Sequence, residues 1–135
     1  ANKVLELVNK DSKISYTYEM NDDIYTKIDK VCKNIYHANK VNYNSEACEK
    51  IDKYISLGKG NLPICIAKTQ YSLSDDASKL GYPKDFSVNV IDARLYSGAG
   101  FITILLGNIM TMPGLPKVPN YEKIDYVNDK IVGLD

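Results

Sequence analysis

The chain has 135 residues, 44% of them hydrophobic and 25% charged, which is the size and composition of one globular domain and excludes a wholly disordered or fibrous chain. Lys+Arg and Asp+Glu both number 17, so the formal net charge is zero, and the basic surplus that phosphate-backbone binding requires is missing. The apolar runs are short and broken by glycine, which excludes a transmembrane helix, and the opening "ANKVLELVNKD" lacks the basic-then-apolar order of a signal peptide.

Residues 2–10 read as a helix with Val4, Leu5 and Val8 on one face. In "KISYTYEM" the apolar residues Ile14, Tyr16, Tyr18 and Met20 alternate with polar ones, the pattern of a strand with one buried face. Asn21 or Asp22 then caps a helix whose stripe is Ile24, Ile28, Val31, Cys32 and Ile35. Ser45 caps another, with Ala47, Cys48, Ile51, Tyr54 and Ile55 inward and Gly58 just past its end. "LPICIAKT" is almost wholly apolar and reads as a central strand. "FSVNVIDARLY" alternates through Phe86, Val88 and Val90, then shifts phase to Ile91, Ala93 and Leu95, which predicts a β-bulge near Val90–Ile91. "SGAG" turns the chain and "FITILL" returns as a buried strand, while "EKIDYVNDKIVGL" predicts a small hairpin around Asn128–Asp129. Helices in the N-terminal half packed on a mixed or antiparallel sheet from the C-terminal half give an α+β class in a single domain, 1–135, able to fold on its own.

Few motifs carry chemistry. "SGAGF" and "GKGN" fit neither GxxxxGK[ST] nor GxGxxG, so they read as turns and not as phosphate loops. His37 stands at a helix end with no partner pattern of a triad. Asp75 and Asp76 are adjacent carboxylates in a polar loop, solvated or capping, with no third metal ligand nearby. Cys32, Cys48 and Cys65 have no CxxC spacing and read as small buried hydrophobes with no disulfide. Arg94, the one arginine, faces opposite to Ala93 and Leu95 and is the one side chain able to grip a carboxylate or phosphate with a planar fork. In "GNIMTMPGLPKVP" the prolines 113, 116 and 119 fix φ and forbid helix or central strand, leaving a rigid extended loop that is either packed architecture or the wall of a site.

At "LPICIAKTQYSLSDD", "DARLYSGAGF" and "NIMTMPGLPKVPNYEKID" the chain resembles the C-terminal part of the formate–tetrahydrofolate ligase family, of the bacterial monofunctional type, along essentially all 135 residues. The resemblance implies a cytoplasmic, usually tetrameric enzyme that couples ATP hydrolysis to joining formate and tetrahydrofolate by way of formyl phosphate, with magnesium and a monovalent activating cation. The family's nucleotide signatures lie toward its N-terminus and are absent here. The chain is therefore expected to be the closing domain of a larger ligase, inactive alone, whose partners are the rest of that chain and further copies, with no nucleic acid, membrane or disulfide. On the resemblance, Lys68, Gln70, Arg94, Pro113, Gly114, Leu115, Pro116 and Lys117 are expected to line the folate and nucleotide cleft, with no catalytic residue and no metal ligand among them. Where family members tend to read T-G-D before I-M-T-M, this chain has Leu106, Gly107 and Asn108. The alternative is a standalone non-catalytic module that binds folate or a partner or drives oligomerisation.

Overall fold

The computed structural model describes residues 1–11, 14–109 and 117–133. Among them are the helices α1 (Asn2–Val8), α2 (Ile24–Asn34) and α3 (Ser45–Ser56), the short strands β1 (Lys40–Tyr43) and β2 (Ile64–Ala67), and a long hairpin of β3 (Ser87–Tyr96) and β4 (Phe101–Leu106). A 3₁₀ turn at Asn120–Glu122 leads into a separate hairpin, β5 (Asp125–Val127) and β6 (Lys130–Val132). The main sheet runs β1-β3-β4-β2, each outer strand parallel to its neighbour and the central pair antiparallel. This is the α+β class with a mixed sheet, although β1 enters it from among the helices.

The core lies between the sheet and one helical layer. Ile24, Ile28 and Cys32 of α2 and Ala47 and Ile51 of α3 meet Val88, Val90, Ala93, Ile102, Ile104 and Leu106 of the central strands. Burial of this apolar surface is the main drive for folding. Each long helix is capped by a neighbour of the expected residue, α2 by Asp23 in place of Asn21 or Asp22 and α3 by Asn44 in place of Ser45. Asp23, in extended backbone, accepts a hydrogen bond from Thr26 N at 3.0 Å, and Asn44 accepts one from Ala47 N at 2.8 Å. Asp22 instead pairs with Lys30 across the next turns. Gly58 closes α3 with φ 71°, the left-handed turn that glycine makes at least cost.

The phase slip in β3 is a register shift between Val90 and Asp92. Beyond it β3 has outrun the four-residue β1, and α3 covers the bare edge. Asn44 Nδ2 donates to Ile91 O at 3.0 Å and the Tyr54 hydroxyl to Ala93 O at 3.1 Å, which satisfies backbone groups that would otherwise invite another strand. At the hairpin tip Gly100 has φ 75°, and in the small hairpin Asn128 and Asp129 take φ 49° and 59°, the left-handed pair of a type I′ turn.

Four expectations are corrected. Residues 14–20 form no strand, and Ile14, Tyr16 and Met20 are exposed. A strand needs a backbone ladder, and the sheet edge nearest this segment is met by a side chain instead, Ile64 N donating to the Tyr18 hydroxyl at 3.1 Å. "LPICIAKT" is an edge strand and not a central one; its apolar run is used on one face by Ile64 and Ile66, so the alternation turns Cys65 outward into solvent. Cys65 is thus not a buried hydrophobe, whereas Cys32 is, and burial pushes its thiol up to about 12. Ile35 and Ile55, at the ends of their stripes, are half exposed, and Ile35 faces an open groove beside Tyr16, Tyr18 and Pro63. Strand β1 escapes notice in the sequence because "KVNY" is too short to show alternation.

A buried cation was also hidden in the helical pattern. Lys27 is fully buried, and its ammonium donates to Gly60 O at 2.9 Å and Leu62 O at 3.0 Å beneath the Tyr18 ring. It ties α2 to the loop that enters β2.

Candidate functional site at the carboxyl ends of β2 and β4

Strands β2 and β4 are parallel neighbours, Ala67 lying beside Leu105, so the segments that follow them leave the sheet at one end. After β2 come Lys68 to Lys79, and after β4 come Gly107, Asn108 and Ile109. The two most distinctive stretches of the sequence, "AKTQYSLSDD" and "GNIMTMPGLPKVP", therefore start side by side. The carboxyl end of parallel strands is where open α/β sheets place their ligands.

Lys68 organises the first of these segments. Its ammonium donates to Thr69 O at 2.9 Å, to Ser72 O, and to Ser74 O at 3.4 Å, and lies 5.2 Å from the centre of the Tyr36 ring. Burial pulls this ammonium below the usual lysine value and the charge of Asp75 offsets part of that. With its three protons directed at backbone carbonyls, Lys68 acts as the pin around which the loop curls, and Ser72 and Ser74 are buried. Gln70, on the same loop, is exposed.

Asp75 joins the loop to the sheet. Its Oδ2 accepts from Asn89 N and from Asn89 Nδ2, both at 2.9 Å. Asn89 Oδ1 in turn accepts from Asn42 Nδ2 at 3.1 Å, and Asn89 O accepts from Gly107 N at 3.1 Å. Asp76 turns away and accepts from Ser78 N at 2.9 Å and Ser78 Oγ at 2.6 Å. Among the described residues no group of three His, Cys, Asp or Glu side chains could hold a metal ion.

Arg94 stands apart. It pairs with Thr103, four residues before Gly107, which is about 13 Å along the strand at roughly 3.3 Å per residue. Its Nε donates to Asp92 Oδ2 at 3.0 Å, while Lys50 of α3 reaches Asp92 Oδ1 at 2.6 Å. Burial opposes ionisation of Asp92, and the hydrogen bonds from Lys50 and Arg94 outweigh it, so the carboxyl titrates below its ordinary 3.8. The ionised form then adds stability that is complete above 3.8 and is lost as pH falls below it. Asp92→Asn should flatten the acid limb of stability: thermal melts stepped downward through this range should show a smaller loss in the variant than in the parent chain, and equal losses would deny Asp92 this role.

Lys117 is exposed, and Pro113, Gly114, Leu115 and Pro116 lie outside the described residues. The structure thus brings Lys68 and Gln70 to one end and leaves Arg94 on the sheet surface well away. His37, beyond the end of α2 with φ 61°, packs edge-on against Tyr82 at 5.5 Å. The spacing of "AKTQYSLSDD" carries no sign that Asp75 binds the sheet, because its partner there, Asn89, belongs to β3.

A groove of about 720 Å³ lies elsewhere, at the amino end of β2, lined by Tyr16, Tyr18, Met20, Val31, Ile35 and Pro63 among others. Among the described residues Glu19 is its one charged side chain and the rest of its lining is mostly aromatic or aliphatic, so these residues suit an apolar neighbour better than an anionic ligand. A nucleotide triphosphate does not fit the described residues: α2 and α3 satisfy end N–H groups with their own caps, and no glycine loop leads into either helix. The carbonyls that could circle a monovalent cation in the 69–74 loop are held by Lys68 itself. No helix among the described residues is long and apolar enough to cross a membrane.

Comparison with known proteins adds what the geometry leaves open. The family model described as formate--tetrahydrofolate ligase matches residues 1–135. Relatives named formate--tetrahydrofolate ligase include one from Petrotoga mobilis (strain DSM 10674 / SJ95), 47% identical over 135 residues, 99% of this chain and 24% of the relative. Another, from Campylobacter concisus (strain 13826), is 52% identical over 119 residues, 88% of this chain and 22% of its own length. A third, from Lactobacillus johnsonii (strain CNCM I-12250 / La1 / NCC 533), is 47% identical over 135 residues, 99% and 24% respectively. The chain spans about a quarter of the length of these curated relatives.

Proposed function

The chain belongs to the formate–tetrahydrofolate ligase family, and on that premise we propose that it forms the C-terminal part of a cytoplasmic, ATP-dependent ligase that joins formate to tetrahydrofolate to give 10-formyltetrahydrofolate. In this reading the rest of the ligase chain holds ATP, magnesium and a monovalent cation, and the assembled enzyme is a tetramer. The domain walls the folate and nucleotide cleft and does not carry the reaction alone. Its contribution is positioning, a large part of the catalysis of acyl and phosphoryl transfer.

One observation supports the reading: the two stretches that carry the resemblance leave adjacent strands at one end of the sheet, and both are tied to Asn89 of β3, which donates to Asp75 of the first and accepts from Gly107 N of the second. Gln70 and Lys117 are the polar groups proposed to face substrate there, beside a wall formed by Pro113, Gly114, Leu115 and Pro116. Lys68 holds the loop from behind. Arg94 is proposed to meet an anionic end of a long substrate, since a compact group could not touch both ends of a 13 Å span measured by ~3.3 Å strand steps.

The test uses a full-length ligase carrying this segment. Lys117→Ala and Gln70→Ala should each raise the KM for tetrahydrofolate or ATP by roughly three- to tenfold, the equivalent of about 0.7–1.4 kcal/mol, with the melting temperature unchanged. Wild-type Michaelis constants in both variants would remove the cleft from this end of the sheet.

A further inference from the structure

Strand β4 ends its pairing with β3 in an incomplete way. Asn89 faces Gly107, one step beyond the pair Val90–Leu106. In a complete antiparallel pair the two residues would exchange both hydrogen bonds. Here Gly107 N donates to Asn89 O at 3.1 Å, but Asn89 N donates to Asp75 Oδ2 at 2.9 Å and not to the Gly107 carbonyl. Gly107 has φ 67°, which swings the chain out of the strand, and the Asp75 carboxylate stands in for the carbonyl that has left. The loop also presses close, since a Cβ at Gly107 would lie 2.7 Å from Asp75 O. Asp75 itself is presented by a loop pinned on Lys68 through the Ser72 and Ser74 carbonyls.

We propose that Asp75 is a positioning residue of the ligase reaction: by completing the β3–β4 ladder in place of Gly107 O, it sets the direction in which the chain leaves β4 toward the substrate-facing segment. The proposal rests on the cleft reading above. It assigns the loop after β2 a task that requires no contact with substrate. The carboxylate holds Asn89 through its backbone and its side-chain amide at once, and Asn42 fixes the other end of that amide. Asn89 thus cannot turn to satisfy a displaced Gly107 without giving up two bonds.

The experiment compares Asp75→Ala and Asp75→Asn in a full-length ligase. Asparagine keeps an acceptor oxygen for Asn89, so it should restore near-wild-type kinetics, while alanine should raise the KM for tetrahydrofolate about tenfold with kcat within about twofold. Amide hydrogen exchange, read in the same proteins, should accelerate at Asn89 and Gly107 in the alanine variant and stay unchanged at Val88 and Ile104. Should the alanine variant fail to fold, Asp75→Glu, which shifts the oxygens by one methylene, carries the same expectation in milder form. Unchanged exchange at Asn89 overturns the bond itself. Faster exchange with unmoved Michaelis constants, where Lys117→Ala does raise them, overturns the positioning role and leaves the cleft reading intact. Unmoved constants in Asp75→Ala, Lys117→Ala and Gln70→Ala alike overturn both.

Discussion

Gly107→Ala is expected to destabilise the 135-residue chain by about 2–3 kcal/mol or more, lowering its melting temperature by roughly 6–10 °C. Two independent effects add. At φ 67° an L side chain is strained whatever the space around it, at about 1–2 kcal/mol. The new Cβ would also sit 2.7 Å from Asp75 O and 3.3 Å from Asp75 Cβ, and the first of these is backbone that cannot swing aside. The loop would have to shift and release Asn89, which ordinary surface substitutions do not demand. Gly98→Ala is the control: a Cβ there meets nothing within 4 Å and its φ is not positive, so it should change stability by less than about 0.5 kcal/mol or raise it slightly. Equal melting temperatures for the two variants would mean that the close approach of Asp75 and Gly107 does not exist in solution.

Lys27→Ala should be at least as damaging, about 3 kcal/mol by urea denaturation, because it opens a cavity in the core and strands the Gly60 and Leu62 carbonyls beneath Tyr18. Lys27→Met separates the two contributions. Methionine fills most of the space of the lysine stem but offers the carbonyls no donor, so its loss should be about half as large and reports the two hydrogen bonds, while the difference from alanine reports the cavity. The midpoint should move while the slope stays constant, which would locate the effect in the native state. A loss below about 0.5 kcal/mol in Lys27→Ala would show that the ammonium reaches water in solution, with the carbonyls satisfied by solvent.

Much of the fold was legible because its signals are local. The stripe Ile24, Ile28, Cys32 makes α2 visible, Ala47 and Ile51 do the same for α3, and the change of phase at Val90–Ile91 marks the bulge. Asn128–Asp129 announces a type I′ turn by the tolerance of those two residues for positive φ. The misreadings concern partners. "KISYTYEM" alternates as a strand would, yet its place beside β2 is taken by one tyrosine hydroxyl. "LPICIAKT" is apolar enough for the middle of a sheet but lies at the edge. Lys27, which lies outside the apolar stripe read for α2, is buried.

The candidate site divides in the same way. The amino-acid sequence by itself determined the two long helices, the central hairpin, the bulge and the family, since each depends on neighbours within a few turns or on a long unbroken match. The resemblance it carries also singled out Lys68, Gln70, Arg94 and Lys117 as the polar residues expected at the cleft. Only the tertiary structure decided that Lys68 pins its own loop, that Arg94 stands some 13 Å from that loop's end of the sheet by ~3.3 Å strand steps, and that Asp75 completes the ladder where Gly107 turns away. The physical reason is sequence separation. Asp75 and Asn89 are 14 positions apart, Asn42 and Asn89 are 47 apart, and hydrogen bonds of that span leave no periodicity in the chain. They exist once hydrophobic burial has brought β1, β3 and β4 side by side, and no earlier.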